Sequence, residues 1–122
     1  MIPDTNVVIA YLEGEDAVVQ TLSQWRDNAS LLLPTVDESE VLSFNAWDET
    51  ERSITEQYLA DNFISIVFDR PIAHVAAQIR RTTRIKFPDA AIAASALYLR
   101  LPLITRNLRD FKRIPGLDLR TI

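Results

Sequence analysis

The sequence predicts an α/β domain in which a mostly parallel sheet of four or five strands is flanked by helices. Short apolar runs suited to buried strands alternate with longer stretches that have the apolar spacing of helices. The chain has only two glycines, Gly14 and Gly116, and no internal repeat or flexible linker. We therefore expect a single domain over residues 1–122.

Four strands and a candidate edge strand follow from the apolar runs. They are predicted over residues 1–3, 31–33, 64–68 and 103–105, with a possible edge at 117–122. The first helix begins near Asn6 and ends at the turn around Gly14, and further helices are predicted over 17–26, 36–47 and 49–59. Asp69 is expected to cap the next helix, and Pro88-Asp89 begins an alanine-rich helix that runs to Arg100.

Composition excludes several classes of site. The chain contains no cysteine, which rules out disulfides, zinc–thiolate sites, iron–sulfur clusters and cysteine nucleophiles. The net charge of −4 argues against a protein that only binds nucleic acid through its phosphates, because nucleic-acid binders are usually basic. It does not argue against an enzyme that gathers carboxylates around a divalent metal, since the metal supplies local positive charge.

No targeting or membrane segment is evident in the sequence. The N-terminus lacks the basic and apolar regions of a signal peptide. The longest weakly polar stretch, residues 90–99, is far shorter than the roughly 20 residues that span a bilayer. We expect a cytoplasmic protein with no membrane association.

Acidic side chains follow several of the predicted strands. Asp4 comes directly after the first strand, Glu40 lies early in the helix after the second, and Asp89 is at the start of the alanine-rich helix. Asn107 and Asp110 follow the strand at 103–105. Because active sites of such sheets lie beyond the carboxyl ends of the strands, acids distant in sequence are expected to meet at one edge.

Each acid also has a purely structural explanation. Asp4 precedes a helix, so a capping role and a ligand role are equally plausible from position alone. Asp89, between a proline and a helix, has the position of a cap. In the predicted helix Glu40 falls on an apolar stripe, while Asp37 and Glu38 point away; the stripe consists of Val36, Glu40, Ser43, Phe44 and Trp47. An ionised glutamate there needs a partner or a metal, unless the stripe faces solvent.

Taken together, the acids indicate a metal site. Three or four converging carboxylates repel one another and raise their pKa values unless a cation is present. Mg²⁺ or Mn²⁺ suits such a site, because hard cations prefer oxygen ligands and keep several waters. A site of this kind is suited to phosphodiester hydrolysis.

Four segments resemble conserved motifs of PIN domains, especially those of VapC-type toxins. They are DTNVVIAYL at residues 4–12, SEVL at 39–42, DAAIAA at 89–94 and LITRNLRDF at 103–111. The motifs occur in the order found in the family, and the similarity covers essentially the whole chain. The resemblance implies a PIN-like three-layer domain that acts as a Mg²⁺-dependent endoribonuclease, with Mn²⁺ as a possible substitute.

The resemblance also implies roles for individual residues. Asp4, Glu40 and Asp89 would be metal ligands and catalytic acids. Asp110 is expected to be the fourth catalytic acid, with Asn107 as a polar support, because family members place that acid at either position. Asn6 and Thr105 would orient the acids or a bound water.

The partners implied by the resemblance are a VapB-type antitoxin, a structured RNA and a second copy of the chain. The antitoxin would cover the active site with one segment, and the RNA would be cut at an exposed loop, as in tRNA or rRNA. Basic residues near the acids, namely Arg80, Arg84, Lys86 and Arg106, are candidates for RNA contact. The cluster at 80–86 has a solvated helix end as an equally plausible explanation.

Two other functions fit parts of the sequence. A non-catalytic PIN-like protein that binds RNA or acts as a scaffold is favoured by Asn107 and by the acidic pI near 4.9, but the intact Asp4, Glu40 and Asp89 oppose it. A different magnesium-dependent phosphoryl enzyme is the other alternative. A phosphatase of that kind would need an aspartate where Asn6 stands. A phosphorelay receiver would need paired acids and a lysine after a late strand, and neither is clear in the sequence.

Overall fold

The strands of this computed structural model, which describes residues 1–122, form a sheet whose pairings are all parallel. One ladder has the order β1-β4-β5 and the other joins β2 to β3. The N–H of Leu32 donates to the carbonyl of Met1 at 2.9 Å and links the two ladders. The five strands are β1 (Ile2–Pro3), β2 (Leu32–Pro34), β3 (Ile64–Ile66), β4 (Leu103–Ile104) and β5 (Leu119–Arg120). The predicted α/β class and parallel sheet are confirmed.

Seven helices connect and flank these strands. They are α1 (Thr5–Leu12), α2 (Asp16–Arg26), α3 (Thr35–Leu42), α4 (Glu49–Asn62), α5 (Arg70–Thr82), α6 (Phe87–Leu99) and α7 (Leu108–Phe111). Most predicted bounds agree with the structure to within two or three residues. The four-residue α7 was not predicted, because it is too short for apolar periodicity to mark it.

The sheet separates two apolar cores. Successive residues of a strand point to opposite faces, and Leu103 and Ile104 accordingly enter different cores. The core around Leu103 contains buried side chains of α5 and α6, whereas the core around Ile104 contains those of α1, α2 and α4. This arrangement is the three-layer architecture expected from the sequence.

Helices α5 and α6 pack against each other beside the sheet. In α5 the predicted apolar face is buried at Ile72, Ala76 and Ile79, and Asp69 caps the helix by accepting from the N–H of Ile72 at 3.2 Å. In α6 the alanines have almost no exposed surface. Their small side chains let α6 approach its neighbours closely, which brings Asp89 near the carboxyl end of the sheet.

The predicted helix over 36–47 is wrong in its length. Helix α3 ends at Leu42, and the Ser43 hydroxyl donates to the carbonyl of Glu40 at 2.8 Å. Asp48 then begins α4 with a capping box formed with Glu51, so residues 43–48 are a connection. Phe44 therefore lies outside the helix, and no continuous stripe extends from Val36 to Trp47.

The expected orientation of Asp37 is also wrong. Its side chain is only 1% exposed, although the helical stripe placed it on the outer face. Helix α3 packs against α1, α4 and α6, so more than one of its faces is covered. A single stripe was therefore an incorrect description of its buried surface.

None of the helices combines the length and the hydropathy needed to cross a membrane.

The end of α6 contains a conformational strain that can be tested. Arg100 has a φ of 56°, in the left-handed region that glycine adopts without a Cβ clash. We expect Arg100→Gly to raise the free energy of unfolding by about 0.5–1 kcal/mol, since relief of the left-handed strain exceeds the entropic cost of glycine. Chemical denaturation measures this change. Arg100→Ala is the control, because alanine keeps the strain and should give no increase; an equal gain in both variants would contradict the explanation.

Candidate active site

A cleft of about 690 Å³ lies beyond the carboxyl ends of the central strands. All four acids singled out from the sequence line it: Asp4, Glu40, Asp89 and Asp110. These residues come from four separate segments of the chain. Other lining residues include Thr5, Asn6, Asn107 and the basic side chains of Arg80, Arg84 and Lys86.

Asp4 both caps a helix and lines the cleft. Its Oδ1 accepts from the N–H of Val7 at 3.0 Å and caps α1. Its Oδ2 accepts a hydrogen bond from the hydroxyl of Thr105, which follows the neighbouring strand β4 and is fully buried. The two roles left open by the sequence are therefore not exclusive, because each carboxylate oxygen keeps a second lone pair.

Burial raises the pKa of Asp4 above its ordinary value. The side chain is only 7% exposed, so its charged form loses much of its hydration. The hydrogen bonds from Thr105 and Val7 and the positive charge of Arg106 act in the opposite direction and limit the rise in pKa. Thr105 thus stabilises the charged form of a carboxylate that burial disfavours.

Glu40 lies in the last turn of α3 and is partly exposed to the cleft. The hydroxyl of Thr5 donates to its Oε1 at 3.1 Å. Thr5 is the first residue of α1, directly after Asp4, so this bond ties Glu40 to the segment that holds Asp4. The bond also leaves Oε2 of Glu40 free of protein donors.

Asp89 is not the cap of its helix. The capping position of α6 belongs to Lys86, and no side chain makes a capping hydrogen bond there. The structural explanation of Asp89 as a cap is therefore wrong. Burial raises the pKa of Asp89, and the negative charges of Glu40, Asp4 and Asp110 raise it further, while Lys86 opposes them. These interactions show that the four acids share one electrostatic environment.

Asn107 connects Asp110 to the centre of the cleft. Its side-chain amide donates to Oδ2 of Asp110 at 2.9 Å. Its backbone N–H donates to the hydroxyl oxygen of Thr105 at 2.9 Å, and Thr105 in turn donates to Asp4. Asp110 is partly exposed and has Arg113 at 3.9 Å.

The remaining predicted residues divide into two groups. Asn6, Arg80, Arg84 and Lys86 line the cleft. Arg106 does not line the cleft and instead forms a two-pronged ion pair with Glu15. A substrate phosphate would have to compete with Glu15 for that guanidinium.

Asp37 is a buried acid that the sequence analysis placed on the wrong side of its helix. Its pKa is raised well above the ordinary value, chiefly by burial and then by the negative charges of Glu40, Asp4 and Asp89. Its Oδ2 has no hydrogen-bond partner. The sequence signal available for it was the pair Asp37 and Val41, which lie four residues apart on one face and are both buried.

The donor set fits a hard divalent cation. Every candidate ligand is a carboxylate, and their mutual repulsion is the effect that a cation would relieve. No three of these acids approach closely enough to ligate one ion together. Mg²⁺ is commonly held by one or two carboxylates and keeps several of its waters. The wide spacing of these acids is therefore compatible with Mg²⁺, because water can fill the remaining ligand positions.

Comparisons with known proteins agree with this geometry. The sequence profile of the PIN domain family matches residues 1–117. "Ribonuclease VapC" from Rickettsia bellii is 28% identical, over 100% of this chain and 96% of that protein. A chain of a toxin–antitoxin complex from Klebsiella pneumoniae is 32% identical, with a TM-score of 0.82 and coverage of 95% of this chain and 93% of that chain.

The fold is also similar to that of VapBC2 from Rickettsia felis, solved bound to a DNA fragment from its promoter. The TM-score is 0.86 at 22% identity, over 99% of this chain and 97% of that one. At this identity the likeness concerns the fold alone. Together with the family match over nearly all of the sequence, these comparisons show that the chain belongs to the PIN domain family.

Proposed function

We propose that this protein is a metal-dependent endoribonuclease and the toxin of a toxin–antitoxin pair. The observation that carries the proposal is the convergence of Asp4, Glu40, Asp89 and Asp110 in one cleft with basic side chains along its wall. The names of the Rickettsia bellii and Klebsiella pneumoniae relatives support the ribonuclease and toxin roles. Mg²⁺ is the proposed cofactor, with Mn²⁺ as an alternative of similar ligand preference.

The residues of the cleft have two proposed roles: some hold the cation, and others position the acids. One or two of the carboxylates of Asp4, Glu40 and Asp89 would bind the cation directly, and the others would act through its waters. When bound, the cation supplies Lewis-acid activation of water and stabilises charge on the phosphate. Thr105 holds Asp4 in place and favours its charged form. Asn107 positions Asp110 through a side-chain hydrogen bond, and this fourth carboxylate would take a proton from an attacking water.

We propose a structured RNA as the substrate, cut at an exposed single-stranded loop of the kind found in tRNA or rRNA. Arg80, Arg84 and Lys86 line the same cleft as the acids and are all exposed. They would bind backbone phosphates on either side of the scissile bond and offset the repulsion between RNA and an acidic protein. We propose that the protein acts in the cytoplasm, where such RNAs are found.

The first test concerns cleavage itself. The purified protein should cut RNA in the presence of Mg²⁺ or Mn²⁺ and should stop when EDTA is added. Asp89→Asn should retain the fold and reduce the cleavage rate by about 100-fold or more, because it weakens a ligand of the cation. Rates are measured on a structured RNA, with circular dichroism as the folding check. A parent protein that binds RNA without cutting it would favour the non-catalytic alternative.

The second test concerns the basic wall of the cleft. Arg84→Ala should weaken RNA binding and lower the slope of log affinity against log salt by about 1, as expected for one lost phosphate contact. Arg81→Ala is the matched control, because Arg81 is an exposed neighbour that does not line this cleft. Binding is measured in the Asp89→Asn background so that the RNA stays intact. Equal effects of the two substitutions would mean that this wall has no specific role.

We propose a VapB-type antitoxin as the protein partner. An apolar groove of about 440 Å³ between α1, α2 and α4 is lined by Tyr11, Leu12, Trp47, Ile54 and Tyr58, among others. The side chain of Ile54 is 66% exposed there. A partner helix could bury its apolar face in this groove and extend an arginine to the carboxylates.

This mode of inhibition predicts competition between arginine and cation. A guanidinium can bridge two of the carboxylates and relieve their repulsion in place of the metal. Binding of the cognate antitoxin peptide should therefore weaken as the Mg²⁺ concentration rises. Isothermal titration at low and high Mg²⁺ measures this. If the affinity is the same at both concentrations, the antitoxin inhibits from another surface.

We also propose that two chains associate as a homodimer. Several large apolar side chains remain exposed on the single chain, among them Ile64, Val67 and Phe87. Exposed apolar surface of this kind is common at interfaces between subunits.

A further inference from the structure

Asp37 has a carboxylate for which the protein provides no adequate partner. Its side chain is 1% exposed, and it lies beneath the cleft without lining it. Its Oδ2 accepts no hydrogen bond, and Asp37 takes part in none of the ion pairs. In its charged form, a buried carboxylate in this condition destabilises the folded chain unless a donor or a cation from outside the protein satisfies it.

The surroundings of Asp37 indicate that the missing partner is a cation. The charged groups that act on it are Glu40, Asp4 and Asp89, all of them negative. The side-chain donor that acts on Asp37 is the hydroxyl of Thr5, whose single proton is donated to Glu40. The protein thus supplies three like charges and one shared donor around a buried acid.

We infer that Asp37 is a positioning residue of the cation site, a fifth carboxylate beneath the cleft that raises its affinity for a divalent cation. This inference rests on the proposed metal-dependent function. Asp37 lies three residues before Glu40 on α3, so both are carried by the same helix to the same end of the sheet. In the apoprotein the unpartnered charge lowers stability, and cation binding recovers that loss.

A structural role of Asp37 in α3 makes a different prediction. Acids in the first turn of a helix are stabilised by the helix dipole, and α3 has two of them, Asp37 and Glu38. If the dipole explained Asp37, its neutralisation would destabilise the apoprotein. Glu38 shares the first turn but is not buried, so Glu38→Gln removes the same charge without altering the buried site.

The experiment combines calorimetric titration with thermal unfolding, using Mg²⁺ and Mn²⁺ alone as probes. Asp37→Asn should lower the affinity for each cation by about 10-fold or more, the usual effect of removing a supporting group at a metal site. It should raise the Tm of the apoprotein and reduce the increase in Tm that Mg²⁺ causes. Asp37→Leu, which replaces the buried charge with an apolar group of similar volume, should do the same. Glu38→Gln should leave the affinity and the Mg²⁺-induced increase in Tm unchanged.

Several outcomes would overturn the inference. Unchanged cation affinity in both Asp37 variants would do so, and so would a lower apoprotein Tm with an intact Mg²⁺-induced increase. If the parent binds Mg²⁺ and cuts RNA but the Asp37 variants bind the ion equally well, this inference fails and the proposed function stands. If the parent binds neither cation, both are wrong.

Discussion

The constraint on which the rest of this structure depends is that a rigid scaffold holds several negatively charged side chains close together. The carboxylates of Asp4, Glu40, Asp89 and Asp110 come from four segments whose positions are set by the parallel sheet and its flanking helices. Because these segments are anchored in two apolar cores, the acids cannot separate without disturbing the packing. Burial raises the pKa of Asp89 most, and repulsion from Glu40, Asp4 and Asp110 raises it further. The folded chain cannot relieve this repulsion by itself, whereas a bound cation would.

The hydrogen bond from Thr105 to Asp4 shows how the fold maintains this arrangement. The two residues are separated by 101 positions in sequence, yet each directly follows one of a pair of adjacent parallel strands. Asp4 also caps α1, so its carboxylate serves the helix and the cleft at once. Stability and function are consequently coupled at this residue. A substitution of Asp4 removes a cap, a buried hydrogen bond and a candidate ligand together, which makes Asp89 the better position for testing chemistry alone.

Much of the fold follows from the sequence where local signals are strong. The amphipathic face of α5, its cap at Asp69 and the alanine-rich α6 all have patterns that few alternatives share. The placement of the acids after separate strands, combined with the four PIN-like motifs, also indicated which residues line the cleft. The early end of α3 did not follow, because the capping box at Asp48 competes with a continuous apolar pattern. The burial of Asp37 did not follow either, since periodicity assumes one covered face and α3 packs against three other helices.

The account depends most on the claim that these acids form a cation site. Crystals of the protein grown with Mn²⁺ and measured near the manganese absorption edge would test it directly, because anomalous scattering locates the ion independently of any activity. The account predicts an anomalous peak in the cleft within ligand distance of at least one of the carboxylates of Asp4, Glu40 and Asp89, since such ions are held by one or two carboxylates and water. A well-ordered cleft without a peak at saturating Mn²⁺, or a peak only at other acids on the surface, would contradict it.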